Sequence, residues 1–281
     1  MPKLLRRFSI GCARWLAVLG ILAFLAASIP LHAQDDDEYD SYKLRIDGFW
    51  FYSNPSGNFQ ASGPSTPIDI NATLGFNSYS TFAGLIDWHF THKNHLLFAV
   101  SPFEQQRTVV LNRTITFQGK TYSVGTTASA DLKANLYAPG YEYDIIRRKR
   151  GHLGVSVQVD LFDAHASVSA QNQMVNGMTY PAQTASASLL APIPVAGPDF
   201  RFYLTNSPKL FVEGNVYGMY LFGYGNFLST VADLGYSINQ HLSINGGYQL
   251  GSRLVVNNNS SDRIGVHLTQ QGALAGMEVS F

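Results

Sequence analysis

Residues 241–250 read HLSINGGYQL, with Leu242, Ile244, Gly246, Tyr248 and Leu250 on one side of an extended chain and Ser243, Asn245, Gly247 and Gln249 on the other. The same two-residue period runs through KLRIDGFWFY (43–52), TFAGLIDWHF (81–90) and LGVSVQVDL (153–161). Strict alternation is the mark of a strand with two unlike faces. These runs last about nine to eleven residues, longer than the ~5–6 residue strands of soluble sheets and about the length a tilted strand needs to cross a bilayer. A chain built of such runs must bury one greasy face outward or inward, and that choice constrains everything else.

The connections between the runs alternate in kind. THKNH (91–95), RRKRG (147–151), TNSPK (205–209) and NQH (239–241) are short and polar. The stretches 53–66, 112–122, 169–183 and 254–265 are longer and rich in Gly, Ser, Asn and Pro, and FGYGN (222–226) joins them by position. Tight turns on one side and long loops on the other are the layout of a transmembrane barrel. The spacing predicts an all-β, single-domain, closed antiparallel barrel of about ten strands, eight or twelve also fitting the pattern. The strands fall near 43–53, 67–90, 95–112, 121–146, 151–168, 183–204, 209–222, 226–238, 241–254 and 265–281. Pro192, Pro194 and Pro198 cannot donate ladder hydrogen bonds, so bulges or irregular backbone are expected in the sixth strand.

Before residue 43 the pattern is different. Lys3, Arg6, Arg7 and Arg14 precede an apolar run from Leu16 to Ile29, and LHAQ offers a cleavage point after Ala33. This is the layout of a secretory signal peptide, too short for a membrane-spanning helix. Residues 1–33 are thus expected to be removed, 34–42 to form an acidic periplasmic tail, and 43–281 to form the barrel. Removal leaves fifteen Lys+Arg against nineteen Asp+Glu, a net charge of −4 that argues against nucleic-acid binding. It also removes Cys12, the chain's one cysteine, leaving no thiol or disulfide chemistry.

Along residues 273–281, ALAGMEVSF, the residues Ala273, Ala275, Met277, Val279 and Phe281 form an apolar row ending on an aromatic. Such a strand behind a signal peptide resembles the C-terminal assembly signature of Gram-negative outer-membrane β-barrel proteins. LGF (74–76) and LAPIPVAG (190–197) are similar to poorly characterised barrels of that class. The resemblance implies the cell outer membrane as location. It implies outer-membrane lipid, lipopolysaccharide and the barrel-assembly machinery as partners, with Phe281, Val279 and Met277 carrying the assembly signal. It implies no activity, cofactor or oligomeric state.

The side opposite the greasy row is polar. Lys43, Arg45, Asp47, Asp87, His89, Glu142, Asp144, Asp160, Arg201, Glu213, Asp233 and Glu278 all fall there, so a polar lumen is expected. It is either filled by paired charges, as the width of a ten-stranded barrel suggests, or traversed by a thin selective path. Trp50, Tyr52, Trp88, Phe90, Tyr141 and Tyr143 are placed in the aromatic girdles. His89, His92 and His95 straddle a strand end and a turn; alternation should send them apart, so no metal site is expected. The RRKRG turn is read as a surface turn at the inner-leaflet headgroups.

DAHAS (163–167) offers the one enzymatic foothold. Asp163, His165 and Ser167 share one strand face, and His165 and Ser167 resemble the His-x-Ser element of outer-membrane lipid A deacylases. The glutamate those enzymes use downstream is missing, since no acidic residue lies between Asp163 and Asp199. The reading is therefore a non-catalytic structural or narrow transport barrel, with an outer-rim hydrolase as the alternative. A secreted soluble barrel remains a third class.

Overall fold

The computed structural model describes residues 39, 41–60, 65–175, 177–205, 209–221, 225–256 and 265–281. The expected signal peptide lies outside the described residues. Ten long strands form the wall: β1 Leu44–Gln60, β2 Tyr79–Thr91, β3 Asn94–Val110, β4 Thr127–Arg148, β5 Gly151–Ala170, β6 Gln183–Tyr203, β7 Leu210–Leu221, β8 Gly225–Ser237, β9 Leu242–Val256 and β10 Gly265–Ser280. Each pairs antiparallel with its sequence neighbours, and β10 returns to β1 from Arg45↔Ser280 to Gln60↔Gly265. Closure leaves no free sheet edge, the condition for strands to stand in hydrocarbon. Among the described residues no helix is long and apolar enough to cross a membrane.

Alternation sets the wall's two faces. On β5, Val155, Val157 and Val159 are exposed on the outside while Ser156, Gln158 and Asp160 are buried in the lumen. Trp50, Tyr52, Trp88, Phe90, Tyr141 and Tyr143 all stand exposed on the outer face. Leu44 pairs with Trp88, so the second of these groups sits at the short-turn end, with Trp50 and Tyr52 higher on β1. On β10 the outward row is less uniform. Ala273 and Ala275 are exposed, but Val279 is covered, lying in register between Ile46 and Leu242.

Four stretches depart from the expected boundaries, one of them the loop expected at 169–183, which carries a short hairpin, Gln173–Val175 with Met178–Tyr180. β1 runs on to Gln60 because β10 pairs with it throughout. The strand expected from residue 67 begins only at Tyr79. Asp69 Oδ1 accepts the amides of Asn71 (2.9 Å) and Ala72 (2.6 Å), a side-chain turn that folds 69–76 back over the mouth. The loop expected at 112–122 carries a hairpin, Ile115–Phe117 with Lys120–Tyr122, turned through Gln118 and Gly119 at positive φ.

The prolines of β6 act on one edge only. Pairing to β5 is unbroken from Gln183↔Ala170 to Phe202↔Gly151, whereas pairing to β7 is confined to Ala196 and Asp199–Tyr203. Pro192, Pro194 and Pro198 are all at even positions, so their missing donors point to the same neighbour. The expected irregularity is therefore a gap in the β6–β7 seam with the β5 register intact. At the gap the chains come close: a Cβ on Gly197 would fall 1.8 Å from the Val216 carbonyl oxygen.

Candidate functional site: a charged plug beneath an apolar chamber

The lumen has two storeys. At the short-turn end the inward side chains of β1, β2, β4, β6, β7, β8 and β10 converge as charges. Arg201 meets Glu278 through two hydrogen bonds of 2.8 and 2.9 Å and lies 3.3 Å from Glu213. Arg45 contacts Asp47 (3.2 Å), Glu213 (3.0 Å) and Asp87 (3.6 Å). Asp160 and Asp233 are buried at the upper surface of this layer, bordering the chamber above. The structure thus brings Arg45, Asp47, Asp87, His89, Glu142, Arg201, Glu213, Asp233 and Glu278 into one layer of the lumen, while Asp160 stands apart from the ion pairs on the chamber side. Aromatic rings fill gaps in it: the Arg201 guanidinium lies 3.8 Å over Phe211, and Arg45 5.4 Å from Tyr42. Burial on this scale requires such pairing, since an isolated charge costs several kcal/mol.

Several members sit where alternation alone did not place them. Tyr42, assigned to a solvated tail, is buried and donates to Asp87 Oδ2 (2.9 Å). Arg147, assigned to a surface turn, points inward to Asp144 (2.7 Å). His89 and His95 do not diverge. The hairpin makes them direct cross-strand partners, so they share a face, with ring centroids 3.6 Å apart. His95 reaches Asp87 Oδ1 (3.2 Å) through Nδ1 and Asp144 Oδ2 (3.1 Å) through Nε2. His152, adjacent to the RRKRG turn, lies 3.8 Å from Glu142 and 3.7 Å from Asp199. Two groups bring three ligating atoms within 4.8 Å of one another: Asp87, His89 and His95, and Glu142, Asp144 and His152.

Above the plug the lumen is apolar, contrary to the expectation of a polar interior throughout. A cavity of about 410 Å³ is walled by Phe49, Phe51, Leu132, Leu136, Phe162 and Tyr217 and floored by Asp87, Glu142, Asp160 and Asp233. Its roof is a hydrophobic cluster in which loop residues Ile70, Leu74, Phe76, Ile115, Phe117 and Tyr122 are all buried against the upper wall. The Asn71 amide bonds the carbonyls of Pro55 (2.9 Å) and Phe76 (2.7 Å), and Asn112 bonds that of Ala72 (3.0 Å), tying the roof loops together. Tyr122 donates to the Val168 carbonyl (2.8 Å), fastening the hairpin to the tall wall of β4–β6. The signal for this chamber was in the sequence, where LLFAV (96–100) and GFWFY (48–52) are apolar on both faces.

Asp163, His165 and Ser167 lie on the outer face of β5, continuing the row of Val155, Val157 and Val159 beyond its apolar part. His165 Nδ1 bonds Ser188 Oγ (2.9 Å) across the β5–β6 pair. His165 therefore serves a cross-strand contact, and the strand geometry does not assemble the three residues into a nucleophile–base–orienter chain.

Fold and lumen together define a closed, ten-stranded barrel of the outer-membrane type with its interior filled at one end and hollow at the other. No protein-family model and no curated relative matches the chain. Among solved structures it is similar to the outer-membrane protease OmpT of Escherichia coli, at 12% identity and a TM-score of 0.53 over 87% of this chain and 100% of that one. It is also similar to the translocator domain of the autotransporter NalP of Neisseria meningitidis (10% identity, TM-score 0.43, 97% and 98% covered). A third similar structure is the attachment invasion locus protein Ail of Yersinia pestis (9% identity, TM-score 0.37, 84% and 99% covered). At 12% identity the likeness to the protease is one of fold alone.

Proposed function

We propose that this chain is a non-catalytic protein of the cell outer membrane, delivered behind a cleaved signal peptide, that takes a small apolar or amphipathic molecule into its lumen. The observation that carries the reading is the chamber of about 410 Å³ between the charged plug and the loop roof. Its size lies within the roughly 300–1,000 Å³ range of small-molecule pockets, and its mostly apolar wall with a few polar groups at one end fits that class. An apolar solute gains about 25 cal/mol per Å² on leaving water for such a wall, while a hydrated ion would lose its shell there. The plug supports a binding or gated-transport role over an open aqueous pore.

Titration of the detergent-folded barrel with an apolar environment-sensitive dye tests this. Saturable one-to-one binding, displaced by small hydrocarbons and abolished by Ala164→Trp, which fills the chamber, is expected. Dye uptake that never saturates, or that Ala164→Trp leaves unchanged, refutes the reading.

A further inference from the structure

We propose that Asp87, His89 and His95 form a binding site for one divalent transition-metal ion of the zinc class. Asp87 and His89 are two apart on β2 and so share its inward face, and His95 faces His89 from β3. All three are buried, and one ligating atom of each lies within 4.8 Å of the others. The spacings are those of ion-paired groups that a shared cation could also bridge. His95 Nδ1 is 3.2 Å from Asp87 Oδ1, yet both atoms are buried without an aligned hydrogen bond. His89 Nε2 is 3.4 Å from Asp87 Oδ2. Two ligand atoms bound tetrahedrally at ~2.0–2.1 Å lie roughly 3.3 Å apart, close to both separations, and a small rotation of the adjacent imidazoles would turn both rings onto one ion.

The surroundings are those of a metal site as well. The second nitrogen of His95 faces Asp144 Oδ2 (3.1 Å), which also accepts from Arg147 (2.7 Å), and Tyr42 donates to Asp87 Oδ2 (2.9 Å). A carboxylate behind a ligating imidazole fixes the ring's orientation and strengthens it as a donor. Two imidazoles and one carboxylate are a donor set for zinc and other divalent first-row ions. A cation here would also offset part of the carboxylate excess in the plug, where Asp47, Asp87, Glu142, Asp144, Asp160, Asp199, Asp233, Glu213 and Glu278 outnumber the arginines. The Glu142, Asp144 and His152 group is the weaker candidate, with one imidazole where the first has two.

The test uses the full barrel, folded in detergent, free of any polyhistidine tag and stripped with chelator. Cobalt(II) titration of the wild type should give the intense visible absorption of a tetrahedral nitrogen–oxygen site at one ion per barrel, displaced by zinc. Asp144→Asn should weaken cobalt binding about 10- to 100-fold while leaving the spectrum's form. His89→Gln and His95→Gln should abolish it, with His165→Gln, on the outer wall, unchanged. Folding of each variant is read from its heat-modifiable gel mobility. Absence of stoichiometric uptake by the wild type overturns the proposal without recourse to any variant, as does full retention in folded His95→Gln.

Discussion

Arg201 and Glu278, on opposite walls of the lumen, meet in a two-pronged ion pair, Nη1 to Oε2 at 2.8 Å and Nη2 to Oε1 at 2.9 Å, with both side chains buried. The pair spans β6 and β10, which are not neighbours in the sheet. Removing one member strands the other charge, at a cost of roughly 3–5 kcal/mol. Arg201→Ala should therefore lower the urea midpoint of the folded barrel markedly, read by gel mobility. Arg201→Met with Glu278→Leu should recover part of the loss, because Glu278 is no longer stranded while Glu213, which loses Arg201, keeps Arg45 at 3.0 Å.

The outer face makes the opposite demand. Val157 is 55% exposed in the middle of the apolar row of β5. Val157→Arg should destabilise the barrel in lipid by about 2–4 kcal/mol, and by much less in a solution where the face is not covered by hydrocarbon. Asp163→Arg, six positions up the same row, should cost little in either setting. Equal effects at both positions would place the membrane belt elsewhere.

The Asn71 amide ties two points of the roof. Asn71 Nδ2 holds both Pro55 and Phe76, so Asn71→Ala loses two hydrogen bonds, each worth about 0.5–1.5 kcal/mol. Hydrogen exchange in residues 69–76 should quicken by one to two orders of magnitude, with the strand amides of β9 and β10 unchanged. Loss of protection throughout the wall would mean that the roof supports the barrel.

Gly197 marks where the β6–β7 seam resumes. With a Cβ placed 1.8 Å from the Val216 carbonyl oxygen, Gly197→Ala must push the two chains apart. A cysteine pair bridging Ala196 and Gly218, which are in register, should form readily in the parent chain and slowly in Gly197→Ala. Equal cross-linking rates would show that the seam has room to spare.

Much of this architecture was legible in the residues. The period-two runs placed the wall, its two faces and its strand number, because hydrocarbon imposes one rule on every outward position. Most of the inward charges were legible for the same reason; Lys43, expected among them, is exposed just before β1. What the pattern could not show was which of them meet across the lumen, since Arg201 and Glu278 are brought together by barrel diameter and shear and not by local sequence. His89 and His95 were read as diverging because alternation was followed along one strand, whereas the turn at 92–93 folds the second strand back and returns His95 to the same face. Tyr42 lay outside any run, and its place in the plug follows from a hydrogen bond to Asp87. The apolar chamber was marked by LLFAV and GFWFY, whose doubled hydrophobicity exceeds what the lipid face alone needs. The fold of 69–76, expected as strand, and of 112–122, expected as loop, was not legible, because what shapes them is the burial of Ile70, Phe76, Phe117 and Tyr122 against the upper wall.

Planar-bilayer conductance tests the central claim, a membrane barrel stoppered by its own charges and roof, most directly. The wild type should insert and remain electrically silent, closed at one end by the plug and at the other by the roof. Frequent, large single-channel steps from the wild type at low applied potential would contradict the account.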